Sequence, residues 1–212
     1  MRIQIASFAL VPDHIYIAEK NFHAEKLILL LSDENQDESK QENAEVISSI
    51  EQVEDFYKKM DVPVERIHLN YKNFMETALK VSYLLNTFSN KDELLLNLSG
   101  GRRSIPIALF YAATFIKNIK DIDIKCVIIP EDKSYMPFSL LPKYFPDEID
   151  MKLMSSLSLN KPLTELETMI GIKQPTISMR LKKLEKYGYI FVKGRQRILT
   201  ELGNMIVNIY KI

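Results

Sequence analysis

The stretch Glu93-Leu-Leu-Leu-Asn-Leu-Ser-Gly-Gly-Arg-Arg-Ser-Ile-Pro-Ile-Ala-Leu-Phe-Tyr-Ala-Ala-Thr-Phe-Ile116 decides the fold. Leu94 to Leu98 is a near-continuous apolar run, the pattern of a strand buried on both faces of a parallel sheet. Ile105, Leu109, Ala112 and Ile116 then recur at helical spacing, with Ser104 where an N-cap belongs and Pro106 tolerated in a first turn. The order is strand, tight turn, helix. The turn is Ser99-Gly100-Gly101-Arg102-Arg103, and its paired glycines let a backbone approach a ligand because no Cβ stands in the way. Helix N-terminal N–H groups, a hydroxyl and two guanidinium groups all favour an anion there. The turn also falls at the carboxyl end of a buried strand, where open α/β sheets place ligands.

Upstream, strand and helix patterns alternate. Residues 2–10 fit a first strand with Ser7 and Phe8 near its end, followed by a short helix opened by Pro12 and running to about Phe22. Residues 26–31 form a second apolar run, and residues 33–43 a polar, acidic loop without periodicity. Val46, Ile50, Val53, Tyr57 and Met60 share a helix face within residues 44–60. Residues 66–71 give a third strand and residues 74–88 a helix with Phe74, Ala78, Val81 and Leu85 inward. Beyond the central helix, residues 122–130 read as a fifth strand with Cys126 as a small core residue, and residues 134–141 as a weaker extended stretch. This alternation means a Rossmann-like α/β domain with a parallel sheet. Of six glycines the first is Gly100, so the first strand-to-helix turn lacks the dinucleotide fingerprint, and the Ser99 turn lacks P-loop spacing. Neither a nicotinamide cofactor nor a nucleotide triphosphatase fits, and no cofactor is expected.

The 212 residues, 46% of them apolar, allow one ordinary domain and a smaller second one. The proline-rich residues 137–146 are the boundary, giving a ligand-binding domain over 1–142 and a second domain over 143–212. A single cysteine points to a reducing compartment, and no signal peptide or membrane span is read, so a soluble cytoplasmic protein is expected. Net charge is zero but unevenly spread: residues 148–212 hold 11 basic and 6 acidic side chains, leaving 17 and 22 before them. That asymmetry suggests a nucleic-acid partner for the C-terminal part alone.

In that part, residues 147–157 read as a helix, Pro162 opens a second through Ile170, and Gly171-Ile172-Lys173 turns into a third over 174–187 that Gly188 stops. The third helix has an inward stripe of Ile177, Leu181, Leu184 and Tyr187, with Met179, Lys182 and Lys186 opposite. Eight basic residues and one acid lie between Lys173 and Arg197. Two helices joined by a three-residue turn are a helix-turn-helix signature. Two extended runs around Lys193-Gly194-Arg195-Gln196-Arg197 then read as a cationic wing. Thr200 caps a last helix whose face of Leu202, Met205, Ile206 and Ile209 either closes this core or pairs with a second subunit. Double-stranded DNA is the expected partner. Gln174, Thr176, Ser178, Met179 and Lys182 are the candidates for the groove, and Lys193, Arg195 and Arg197 for the phosphate backbone.

Taken together, the Leu98-Ser-Gly-Gly-Arg-Arg103 turn, the missing first-turn fingerprint and Ile172-Lys-Gln-Pro-Thr-Ile-Ser-Met-Arg-Leu-Lys-Lys-Leu-Glu-Lys-Tyr-Gly-Tyr189 resemble the CRISPR-associated Rossmann-fold (CARF) regulators with a C-terminal winged helix-turn-helix. The resemblance implies a homodimer with a two-fold symmetric pocket for a cyclic oligoadenylate, usually cyclic tetra-adenylate. It also implies that Ser7, Phe8, Ser99, Gly100, Gly101, Arg102 and Arg103 line that pocket. A transcriptional regulator rather than an enzyme is expected, since the last histidine is His68, well before the C-terminal module, and a fused ribonuclease of the related enzymes needs one. Slow cleavage of the ring by the N-terminal domain stays open, as does sensing of another phosphorylated metabolite. His14, His23 and His68 have no ligand-like spacing, so no metal is expected.

Overall fold

The computed structural model describes residues 1–33, 41–157, 163–194 and 196–210. The chain divides into two units, Met1–Leu141 and Pro142–Ile212. The first runs β1 (Arg2–Ser7), α1 (Asp13–Phe22), β2 (Lys26–Ser32), α2 (Gln41–Lys58), β3 (Val64–Leu69), α3 (Phe74–Thr87), β4 (Glu93–Asn97), α4 (Ser104–Ile119), β5 (Asp123–Ile128) and β6 (Met136–Ser139). One six-stranded sheet takes the order β3-β2-β1-β4-β5-β6. The first five strands are parallel, and β6 closes the edge antiparallel to β5.

The apolar runs are buried on both faces, as strands covered by helices on each side must be. Ile3, Ile5, Leu94 and Leu96 point to a core with Val81 and Leu85 of α3 and Leu109 and Ala112 of α4. Leu27, Leu29 and Leu31 point the other way, onto Ile50, Val53 and Tyr57 of α2. Each such leucine is worth about 1.5–3 kcal/mol by burial, so these two layers hold the sheet's carboxyl ends in fixed register. Cys126 is wholly buried, and burial pushes its thiol up to about 12, which fits a core residue.

Two local expectations change. α2 begins at Gln41, inside the polar stretch read as loop; residues 34–40 of that stretch lie outside the described residues. Ser104 is the first residue of α4 and not its cap: Arg103 holds the cap position with helical backbone angles, and the Ser104 hydroxyl donates to the Tyr71 carbonyl at 2.7 Å. A serine with a better-placed carbonyl in reach leaves the helix end uncapped.

The second unit comprises α5 (Glu148–Leu157), α6 (Leu163–Ile170), α7 (Gln174–Lys186), β7 (Ile190–Lys193), β8 (Gln196–Leu199) and α8 (Glu201–Tyr210); Pro162 lies outside the described residues. Leu153, Met154, Leu166, Ile177, Leu181 and Leu184 form its core with Tyr189 and Ile206. β7 and β8 make an antiparallel hairpin in which Lys193 opposes Gln196. The Thr200 hydroxyl accepts from the Gly203 N–H at 3.1 Å, the expected cap of α8. Of the face assigned to that helix, Ile206 joins the core together with Val207, whereas Met205 and Ile209 stay exposed. Among the described residues no helix is long and apolar enough to cross a membrane.

Candidate functional site

The strand order reverses between β1 and β4: the chain leaves β1 toward β2 and leaves β4 toward β5. A crevice opens outside the carboxyl ends of two such strands. Ser7 ends β1 and the Ser99–Arg103 turn follows β4, so the two sequence-predicted segments, 92 residues apart from Ser7 to Ser99, are brought to one place. They are joined directly, the Ser7 hydroxyl donating to the Gly100 carbonyl at 2.6 Å.

The glycines have a reason besides ligand approach. A Cβ on Gly100 would stand 2.5 Å from both the Ser7 carbonyl and His14 Nε2, and Gly101 has φ +79° with the Phe8 backbone 3.2 Å from its would-be Cβ. The turn is therefore pressed onto the end of β1. Ser7 is fully buried and Phe8 almost so, and both lie beneath the turn. They position the turn from below.

His14 and Asn97 complete this support, and sequence spacing did not single them out. The His14 ring stacks on Phe8 at 5.9 Å and reaches the Ser7 carbonyl at 3.2 Å. Burial holds its pKa below the ordinary histidine value, outweighing the carbonyls of Ser7 and Val11 that favour a charged ring. Asn97 donates to the His14 carbonyl at 2.9 Å and accepts from the Ser99 N–H at 3.2 Å, tying the start of α1 to the turn. Its only sequence signal is a polar residue interrupting the leucine run. The Ser99 hydroxyl in turn accepts from the Ile129 N–H at 2.7 Å.

Above this base, Arg102 and Arg103 are exposed. The Arg102 guanidinium lies 5.2 Å from the centre of the Tyr71 ring, a cation–π contact that holds it over the turn. No side chain caps α4 and no acid occupies its first turn, so the positive end of the helix dipole adds to both guanidinium groups. Two hollows flank the turn. One, of about 430 Å³, has apolar walls from Leu98, Pro106, Phe110, Ile128 and Phe138 with Arg103 at its side. The other, of about 220 Å³, is mixed, with Ser99 and His14 beside Asp13 and Lys133, whose ion pair measures 2.7 Å. Among the described residues no three of His, Cys, Asp or Glu come together to hold a metal ion.

In the second unit, Met179, Lys182 and Lys193 are exposed, and Thr176 and Ser178 are half-buried on α7. Gln174 donates to Glu167 of α6 at 2.9 Å. Arg197 is half-buried with its Nε lacking a partner, and Arg195 lies outside the described residues. One cation of the basic run is committed internally: Arg180 bonds Asp147 at 2.8 Å and the fully buried Asp150 at 3.0 Å. Asp150 also accepts from the Tyr144 hydroxyl. Tyr144 is another residue that sequence patterning passed over. Lys183 Nζ stands 3.5 Å from the centre of its ring, Tyr187 packs on it at 5.3 Å, and its carbonyl accepts from the Tyr189 hydroxyl at 2.7 Å.

Several solved structures align with most or all of the chain. The chain aligns over its whole length with 77% of Enterococcus italicus Csm6 bound to cyclic hexa-2'-fluoro-hexa-dAMP, at 10% identity and a TM-score of 0.50. It aligns over 98% of its length with 64% of Can2 from Sulfobacillus thermosulfidooxidans in complex with cyclic tetra-adenylate, at 10% identity and 0.48. Protein VC1899 from Vibrio cholerae gives 98% and 64% coverage at 11% identity and 0.47. The chain thus spans less than two thirds of the length of Can2 and of VC1899. No curated protein matches the sequence. The profile of the Csa3 CRISPR-associated Rossmann-like domain, however, matches residues 16–134, more than half of the chain and all of its sheet from β2 to β5 together with the Ser99–Arg103 turn, and the chain belongs to that family.

Proposed function

We propose that this is an effector-responsive DNA-binding regulator of CRISPR defence. Its first unit, acting as a homodimer, takes a cyclic oligoadenylate, and its second unit is a winged helix-turn-helix that takes duplex DNA. The observation that carries the first half is the Ser99–Arg103 turn, seated on Ser7 and His14 where the strand order reverses, with two guanidinium groups exposed beside an uncapped helix end. A cyclic oligoadenylate presents phosphates in a ring, and a two-fold pair supplies N–H donors and cations at symmetric places. The apolar hollow beside Arg103 suits a base attached to such a phosphate. Ring size follows the family resemblance, with four adenylates as the leading case. Ser7 and Phe8 act through the turn and not by contact.

The second half draws on α6 and α7 joined by residues 171–173, the hairpin β7–β8, and the exposed Met179, Lys182 and Lys193. In this arrangement α7 enters the major groove and the hairpin lies along a phosphate backbone. The ring alters DNA affinity only by favouring one arrangement of the pair over another. The arrangement it selects sets the two copies of α7 near the half-site repeat of about 34 Å.

Melting temperature against a panel of cyclic oligonucleotides tests the site. A cyclic adenylate should raise it, and Arg102→Ala with Arg103→Ala should weaken binding roughly a hundredfold or more. If no ring shifts it while another phosphorylated metabolite does, the ligand class is wrong and the anion seat stands. We propose a sensor rather than an enzyme, so the ring should be recovered intact; linear product accumulating with time would identify a ring nuclease. Operator affinity unchanged at saturating ring would refute the coupling.

A further inference from the structure

A third segment reaches the candidate site, from a part of the chain that neither the sequence motif nor the strand reversal singles out. β3 runs parallel to β2, so the turn that follows it, residues 70–73, opens at the same carboxyl edge of the sheet as residues 99–103. Its polar groups are committed to one conformation. Asn70 accepts from the Lys72 N–H at 3.2 Å with its side chain and from the Thr77 hydroxyl at 2.7 Å with its carbonyl. Asn73 caps α3 by accepting from the Glu76 N–H at 3.2 Å. The Ser104 hydroxyl, on the first residue of α4, pins the turn by donating to the Tyr71 carbonyl at 2.7 Å.

This turn presents one aromatic ring with two cations on it. Tyr71 is half-buried against the core of the sheet, and its ring centre lies 5.2 Å from the Arg102 guanidinium and 5.4 Å from Lys72 Nζ. Two positive charges drawn to one ring repel each other, and Arg103 adds a third; all three side chains are exposed. From 94 to 120 the sequence holds no acid. Glu76, the acid nearest to Lys72 in sequence, is engaged by Asn70 at 3.1 Å and by Lys80 at 3.0 Å. A like-charged cluster on so fixed a base gains most when an anion is placed among it. We infer that residues 70–73 are a third segment of the ligand site: Lys72 supplies a further cation to the ligand's phosphate groups, and Tyr71 is the positioning residue that holds Lys72 and Arg102 ready for them. The ring restricts two long side chains before binding, which lowers the entropy lost when a phosphate orders them.

This deepens the ligand site proposed above and rests on it. Isothermal titration with cyclic tetra-adenylate is the test, with circular dichroism to confirm folding. Lys72→Ala, at an exposed position, should weaken binding roughly tenfold and make affinity fall less steeply with salt. Lys91→Ala removes the same charge from an exposed position before β4, at the amino end of the strand, and should bind as wild type does. Tyr71→Leu should weaken binding roughly fivefold, and Tyr71→Phe, which keeps the ring, should restore it. Equal losses from Lys72→Ala and Lys91→Ala would reduce the effect to net charge and overturn the contact, as would undiminished binding by Lys72→Ala. A loss with Tyr71→Phe as large as with Tyr71→Leu would overturn the positioning role. Should wild type ignore the cyclic adenylate, its melting temperature with inorganic pyrophosphate decides. A rise that Lys72→Ala lacks keeps this inference and removes the cyclic ligand; a rise shared by Lys72→Ala overturns this inference alone; no rise with either anion overturns it together with the anion seat.

Discussion

Gly100 and His14 compete for the same few cubic ångströms, and the turn owes its place to the glycine yielding. Gly100→Ala puts a methyl 2.5 Å from a backbone carbonyl and a buried ring, so either the turn lifts or His14 moves. The expected loss is about 1–3 kcal/mol in urea unfolding, as for other overpacked sites, together with loss of ligand binding. Gly101→Ala should cost about 1–2 kcal/mol through its left-handed backbone instead. His14 also gives a pH signature. Its pKa is below the ordinary 6.5 in the folded chain, chiefly through burial, so the unfolded state takes up the proton first as pH falls. Stability from this group is complete above about pH 7 and declines as pH drops through 6.5 toward the lowered folded value. Melting temperature from pH 7.5 to 5.5 should therefore fall in the first unit. His14→Gln, which can still donate to the Ser7 carbonyl, should flatten that dependence.

Among the elements, α7 separates two uses of positive charge that look alike in sequence. Arg180 is spent on Asp147 and the buried Asp150, so Arg180→Ala strands a carboxylate and should cost about 3 kcal/mol of second-unit stability. Lys182 and Lys193 are exposed. Replacing Lys193 by alanine should leave stability alone, weaken binding to every DNA sequence and reduce the salt slope by about one. The strands and helices of the first unit were legible because buried parallel strands leave unbroken apolar runs, as in residues 26–31 and 94–98. The Ser99–Arg103 turn was legible because glycine pairs and arginines announce themselves. Strand order was not, since pairing of β1 with β4 joins residues about ninety positions apart and leaves no local trace. Nor were His14, Asn97 and Tyr144, whose roles come from neighbours distant in sequence. The same holds for Ser7 and Phe8: their position at a strand end was readable, but not that the turn would cover them.

For the whole molecule, the Tyr144 contacts bear on how a ligand bound to the first unit could be felt by the second. Only Pro142 and Lys143 separate Leu141, where the first unit ends, from a tyrosine fastened to Asp150, Lys183, Tyr187 and Tyr189. Inserting four Gly-Ser residues after Pro142 should leave ring affinity and DNA affinity each near wild type while abolishing the effect of one on the other. Tyr144→Phe, which keeps the ring but removes its hydrogen bond to Asp150, should reduce that effect in part; fluorescence anisotropy of labelled operator with and without ring reads both. A two-residue tether, half of it proline, has almost no slack to take up. In the proposed regulator, a change at the end of the first unit therefore meets an anchored tyrosine ring within two residues of chain rather than a long linker.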